Sequence, residues 1–224
     1  MNKVSSEQAL GKTRKMKTLI LILGAHAAGK STLSRALCGA SAQEYSSVVG
    51  GERVRFTYGQ NGIALAGNRK SGSDGISQME VLRQTVSLLL ENREIVIVDG
   101  FRCSNRFVHW LQMLAVPQLA VLFVYLDLSL EANKARLLER RRANGANEEV
   151  LPARTHRNLL RTRVRAWRVF DYAHLCYTRQ PRAFLVITES STPDQAAARI
   201  WNELANMQSG GQEIEMPASI RNVA

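Results

Sequence analysis

Gly24-Ala25-His26-Ala27-Ala28-Gly29-Lys30-Ser31 places Gly-Lys-Ser after a glycine and four intervening residues, which is the spacing of a phosphate-binding loop. The apolar run Thr18–Leu23 precedes it and reads as a buried strand. Thr32–Leu37 follows it and reads as a helix. Strand, glycine loop and helix together make an anion site. Gly24 and Gly29 can take backbone angles closed to other residues, so N–H groups of Ala27, Ala28, Gly29 and Thr32 can turn inward. The helix N-terminus adds a favourable field for an anion. In this reading Lys30 reaches the β- and γ-phosphates of a bound nucleotide, and Ser31 places its hydroxyl on Mg²⁺.

Outward from the loop, apolar runs alternate with helical periodicity. Arg53–Tyr58 alternates polar and apolar residues, Gly59–Gly62 is a turn, and Ile63–Leu65 resumes the extended pattern, which predicts a hairpin. Gly67–Gly75 is a polar glycine-serine loop, and Ile76–Glu91 is helical by periodicity. Glu94–Asp99 and Leu119–Leu126 read as buried strands, each ending at an acid, Asp99 or Asp127. Helices are expected over Phe107–Leu114, Leu130–Arg142, Pro152–His174 and Thr192–Met207, with a last strand at Ala183–Ile187. The fold class predicted is therefore α/β, a parallel sheet flanked by helices, with ligands at the C-terminal ends of the strands. One domain over residues 17–208 is expected between a basic tail, 1–16, and a frayed end, 209–224.

The 224 residues carry a formal net charge of +11. Between Lys134 and Arg182 thirteen basic residues stand against four acids, so most of the excess lies in one segment. Arg154, Arg157, Arg161, Arg165 and Arg168 recur at three- and four-residue steps and make a cationic stripe, the pattern of a polyanion-binding face. Leu160, Val164 and Trp167 form an adjacent apolar stripe expected to pack inward. Three cysteines at wide spacing predict no disulfide framework, and four scattered histidines predict no metal site. No apolar run approaches the roughly 20 residues needed to span a bilayer. With no apolar segment before Lys12, a cytoplasmic location and no membrane partner are expected.

The chemistry is expected from a few side chains. Asp99, at a strand end, can hold Mg²⁺ through water or take a proton from an acceptor hydroxyl. Asp74, in Gly-Ser-Asp-Gly, is the other carboxylate available for that proton. Arg102 is placed to meet a substrate phosphate. Arg136 and Arg140, at i and i+4, can clamp phosphates as charge shifts during transfer.

The phosphate-binding loop, the Asp99 strand end and the Arg136-Leu137-Leu138-Glu139-Arg140 helix together resemble the nucleoside and nucleotide kinase branch of the P-loop proteins. The resemblance implies ATP and Mg²⁺ as cofactors, Arg136 near the adenine, Arg140 near the phosphates and an arginine-rich lid over Arg140–Glu149. It also implies an adenine-contacting loop at Thr188–Ser191. The hairpin, the Gly67–Gly75 loop and the basicity are most similar to the phage 5-hydroxymethyluracil DNA kinases. That similarity implies phosphorylation of the hydroxymethyl group of a modified pyrimidine in DNA, with Arg157, Arg161, Arg165 and Arg168 on the nucleic acid. A kinase for free deoxynucleoside monophosphates and a nucleic-acid-binding P-loop ATPase are the alternatives.

Overall fold

The computed structural model describes residues 16–68, 70, 72–100, 103–116, 118–146 and 149–209. The expected tails therefore lie almost wholly outside the described residues, as does Arg102. The first strand, β1 (Lys17–Gly24), lies inside the sheet, with a parallel strand paired on each side. Its residues alternate between the two faces, so Leu19, Leu21 and Leu23 join one apolar cluster while Ile20 and Ile22 join the other. Such a strand must be covered on both sides, which explains its unbroken apolar run.

The chain continues through α1 (Lys30–Cys38), β2 (Gln43–Val49), β3 (Glu52–Tyr58) and β4 (Ile63–Leu65). After a short 3₁₀ turn at Ser73–Gly75 come α2 (Met79–Asn92), β5 (Ile95–Asp99), α3 (Asn105–Met113) and β6 (Leu119–Asp127). The last elements are α4 (Leu130–Ala143), α5 (Ala153–Cys176), β7 (Arg182–Thr188) and α6 (Pro193–Gln208). The seven strands form one sheet in the order β2-β3-β4-β5-β1-β6-β7. From β4 to β7 neighbouring strands are parallel, and the β2-β3-β4 edge is antiparallel. Helices α2, α3 and α5 bury Leu82, Phe107 and Phe170 on one face of the sheet, and α1 and α6 bury Leu33 and Ile200 on the other. This is the α/β architecture expected from the sequence.

The hairpin is larger than its sequence signal. Tyr58 pairs with Ala64 as expected, but β3 also pairs along its whole length with β2, through the two-residue turn Gly50-Gly51. Gln43–Val49 lacks alternation because β2 is an edge strand exposed over most of its length, so burial imposes no pattern on it. Helix α2 begins at Met79 rather than Ile76. Ile76 is buried in extended conformation, and the helix starts after Gln78.

A second difference concerns α5. The residues it buries are Leu159, Thr162, Ala166, Val169, Phe170 and Ala173. Leu160 and Val164, expected to pack inward, are 38% and 49% exposed, whereas Trp167 packs edge-on against Tyr125. The inward face is turned by about 100°, the step of one residue, relative to the expected stripe, so Leu159 takes the place assigned to Leu160.

Candidate active site

The loop between β1 and α1 opens a cavity of about 1110 Å³ at the C-terminal edge of the sheet. Its walls include Ala27, Ala28, Gly29, Lys30, Ser31 and Thr32. Gly29 precedes the helix at φ 95°, and Ala27 is held at φ 57°. A non-glycine residue in left-handed backbone is strained, and here it belongs to the loop that lines the cavity. Gly24, where β1 ends, is packed against Leu126 and Ala28. The Lys30 ammonium donates to the carbonyls of Gly24 at 3.0 Å and Ala25 at 2.8 Å. Burial lowers its pKa, an effect opposed by the charges of Asp74 and Asp99. A part-buried cation at the N-terminus of α1 fits the phosphates of a nucleotide, and the Ser31 hydroxyl on the same wall fits Mg²⁺.

Asp99 is paired with Ile22 across the sheet, next to the start of the loop. It is 1% exposed and does not line the cavity. Its Oδ2 accepts from Ser34 Oγ at 2.8 Å, and its Oδ1 accepts from the Ser73 amide at 3.0 Å. Burial raises its pKa, while the bonds from Ser34 and Ser73 and the charge of Lys30 pull it back. Asp99 thus locks three elements together: β5, α1 and the Gly67–Gly75 loop.

Gly72, at φ 56°, shows how close this loop comes. A Cβ there would lie 1.8 Å from Asp99 Oδ1. The loop is also held by Ser73 Oγ donating to the Ala66 carbonyl and by Thr57 Oγ1 donating to the Gly67 carbonyl at 3.2 Å. Gly72→Ala is therefore expected to displace the Asp99 carboxylate and strain the backbone at a cost of roughly 1–3 kcal/mol. The check is a thermal melt, in which the midpoint should fall by about 2 °C or more. An unchanged midpoint would mean that the loop does not rest on Asp99.

The loop carries Asp74 to the cavity. Asp74 is exposed and lines the cavity with Lys70, Gly100 and Lys30. It lies against Gly100, where a Cβ would be 2.6 Å from Asp74 Oδ1. The two carboxylates nominated from sequence are thus divided by position: Asp74 faces the cavity and Asp99 is buried behind the loop.

Helix α4 supplies the remaining wall. Ser129 caps it by accepting from the Ala132 amide at 3.2 Å, and Asn133 is its one buried residue. Arg136 Nη1 reaches the Ala28 carbonyl at 3.5 Å, and Arg140 lines the same cavity. The helix continues to Ala143, so the first part of the expected lid, from Arg140, is helical. Residues 147 and 148 lie outside the described residues. Thr188, Glu189 and Ser191 also line the cavity, and Glu189 Oε2 accepts from the Ser129 amide at 3.0 Å. That contact ties the nominated adenine loop to the start of α4.

Sequence reasoning missed Ser34 and Ser73, which hold Asp99. Ser34 stands four residues after Lys30 on the same helical face, a spacing that points to the site. It also passed over His26, whose amide donates to Thr162 Oγ1 at 3.3 Å and so ties the phosphate-binding loop to α5. Burial, Lys30 and Arg140 lower the His26 pKa, and Asp74 opposes them. Arg154, Arg157, Arg161, Arg165 and Arg168 are all exposed on α5. Arg161, Arg165 and Arg168 line a second cavity, which shares His26 with the first. Among the described residues no helix is long and apolar enough to cross a membrane.

A family model described as an AAA domain matches residues 20–154. That span holds the phosphate-binding loop, Asp74, Asp99, Arg136 and Arg140, and stops before Arg157. No curated protein matches the chain. The matched family and the strand-loop-helix site agree, and the chain belongs to the AAA-domain family within the P-loop NTPase and nucleotide-kinase-like superfamily.

Proposed function

We propose that this protein is an ATP-dependent kinase that transfers the γ-phosphate to the hydroxymethyl group of 5-hydroxymethyluracil in DNA. One observation carries the reading: the Asp74 carboxylate lines the cavity that holds Lys30, Ser31 and Arg140, and an arginine-lined groove shares His26 with that cavity. A hydroxyl acceptor must give up a proton as its oxygen bonds to phosphorus; Glu44, Asp74, Glu139 and Glu189 all line the cavity, and Asp74 is the one among them whose charge acts on Lys30 and which is placed to take it. The bond from the γ-phosphorus to the oxygen bridging to the β-phosphate breaks, and ADP leaves. Lys30 and Arg140 balance the negative charge on the transferring group. Mg²⁺, when bound at Ser31, would neutralise phosphate charge. Asp99 acts through position, keeping the Asp74 loop and α1 in register. A phosphate acceptor is already anionic and needs no such base. A free nucleotide also leaves the stripe on α5 without a role, since one nucleotide cannot engage Arg157, Arg161, Arg165 and Arg168 together.

The direct test offers labelled ATP with hydroxymethyluracil-containing DNA or with a panel of free deoxynucleotides. Label in DNA is the expected result. Label only in a free monophosphate would establish the mononucleotide kinase reading, and ATP hydrolysis with no labelled acceptor would establish the ATPase reading. The stripe has its own test. DNA affinity should fall with salt, with a logarithmic slope of roughly 0.7 to 0.9 per phosphate neutralised. The double reversal Arg161→Glu/Arg165→Glu should lower that slope by more than about one and weaken DNA binding while ATP affinity holds. A salt slope unaltered by the double reversal would remove these arginines from the DNA.

A further inference from the structure

Leu160 and Val164 lie one turn apart on α5, exposed, in a groove of about 950 Å³. Arg161, Arg165 and Arg168 line the same groove from α5. Ser104 and Asn105, at the start of α3, and Asn158 supply neutral hydrogen-bonding side chains. His26 lines both this groove and the phosphate cavity, so the two are neighbours. The junction is held by the His26 amide on Thr162 Oγ1, with the Thr162 hydroxyl donating to the Leu159 carbonyl at 2.9 Å.

Two exposed aliphatic side chains among three guanidinium groups do not suit a purely polar ligand. Nor does an apolar one need the arginines. The combination matches a chain whose units each carry a flat apolar face and an anion. A base in a duplex keeps its faces stacked and cannot offer them to Leu160 and Val164. A single strand can, and apolar contact with the face of a base tolerates any sequence.

We infer that this groove holds an unstacked base of single-stranded DNA, with its face on Leu160 and Val164 and the neighbouring phosphates on Arg161, Arg165 and Arg168. Asn105 and Asn158 are the groups placed to hydrogen-bond the edge of the base. The inference rests on the proposed function for its choice of DNA as the polymer, and it makes the single strand the form bound. With His26 lining both cavities, a strand held here would run past the cavity of Lys30 and Asp74.

The test is fluorescence anisotropy with the full chain and an oligothymidine single strand of about 12 nucleotides. The comparisons are an abasic strand of the same length and the matching duplex. Burying the face of a base against two aliphatic side chains removes apolar surface from water, so the oligothymidine strand should bind at least about fivefold more tightly than the abasic strand. It should also bind more tightly than the duplex. The double variant Leu160→Ser/Val164→Ser should lose the preference for bases yet keep the salt-dependent binding of the abasic strand. Both side chains are exposed, and an unchanged melting midpoint would show that the fold is intact. Equal affinity for oligothymidine and abasic strands, tighter binding of the duplex, or a base preference that survives the double variant would each overturn the inference. Labelled-phosphate transfer separates this outcome from the fate of the kinase reading. Transfer to hydroxymethyluracil DNA with no base preference sinks the groove alone. A base preference that the variant abolishes, with no transfer to DNA, sinks the kinase alone.

Discussion

Lys30→Ala is expected to lower phosphoryl transfer by at least about 10²- to 10³-fold, with a melting midpoint within about 4 °C of the parent protein. Lys30 brings the only ammonium group of the loop Gly24–Ser31 into the cavity, so no neighbour on that loop replaces it. In the structure its proton-rich end is held by the Gly24 and Ala25 carbonyls. Removing the side chain, which lines the cavity, leaves room for water to reach those carbonyls in the variant. The stability terms oppose one another. Burial of the ammonium is a cost that alanine removes, whereas the attraction to Asp99 is a gain that alanine also removes. The sign for Lys30 itself follows from its lowered pKa. The folded state releases the proton more readily than the unfolded chain, so this group's contribution to stability rises with pH between the two values. A labelled-ATP assay beside a thermal melt reads both quantities. Transfer at the parent rate would remove Lys30 from the reaction. A collapse of the midpoint would make it a structural residue instead.

Asp74→Asn should lower kcat by about 10²- to 10⁴-fold, the usual contribution of a general base, with little change in the KM for ATP. The amide keeps the size of the carboxylate beside Gly100 but cannot take the acceptor's proton. Asp99→Asn is the informative comparison. One oxygen can still accept from the Ser73 amide. The new NH₂ can face Ser34 Oγ, whose own proton can turn to the Lys30 carbonyl at 3.0 Å. The asparagine therefore fits the buried position. Burial raises the Asp99 pKa above its unfolded value, so its contribution is fully present at low pH and is lost as pH rises through the folded value. Asp99→Asn should remove that loss, leaving stability flatter from acid to neutral pH in melts across that range. If Asp99→Asn abolished kcat while Asp74→Asn left it intact, the proton acceptor would be Asp99, and the assignment of roles would reverse.

How much of this site was readable in the chain differs from residue to residue. The loop Gly24–Ser31 was legible because its chemistry is local: backbone angles, one ammonium and one hydroxyl, all within eight consecutive residues. The strands at Thr18, Ile95 and Leu119 were legible because sheets covered on both faces force unbroken apolar runs. Strand β2 was not, because an exposed edge leaves no periodic mark. The inward face of α5 was misplaced by one residue. An arginine-rich helix with apolar residues at Leu159, Leu160, Val164 and Val169 permits more than one apolar stripe, and only the packing against β6 selects between them.

The sequence by itself determined the α/β class, the position of the anion site at the end of β1, and the presence of two carboxylates and an arginine stripe. Each of these depends on neighbours close along the chain. Tertiary structure alone decided where each carboxylate lies. Asp74 and Asp99 are separated by α2, and nothing local distinguishes them. The fold brings Gly72 against Asp99 and closes Ser34 and Ser73 over its oxygens, which leaves Asp74 facing Lys30's cavity. It likewise turned Leu160 and Val164 outward beside the arginines, because the sheet had room for only one face of α5.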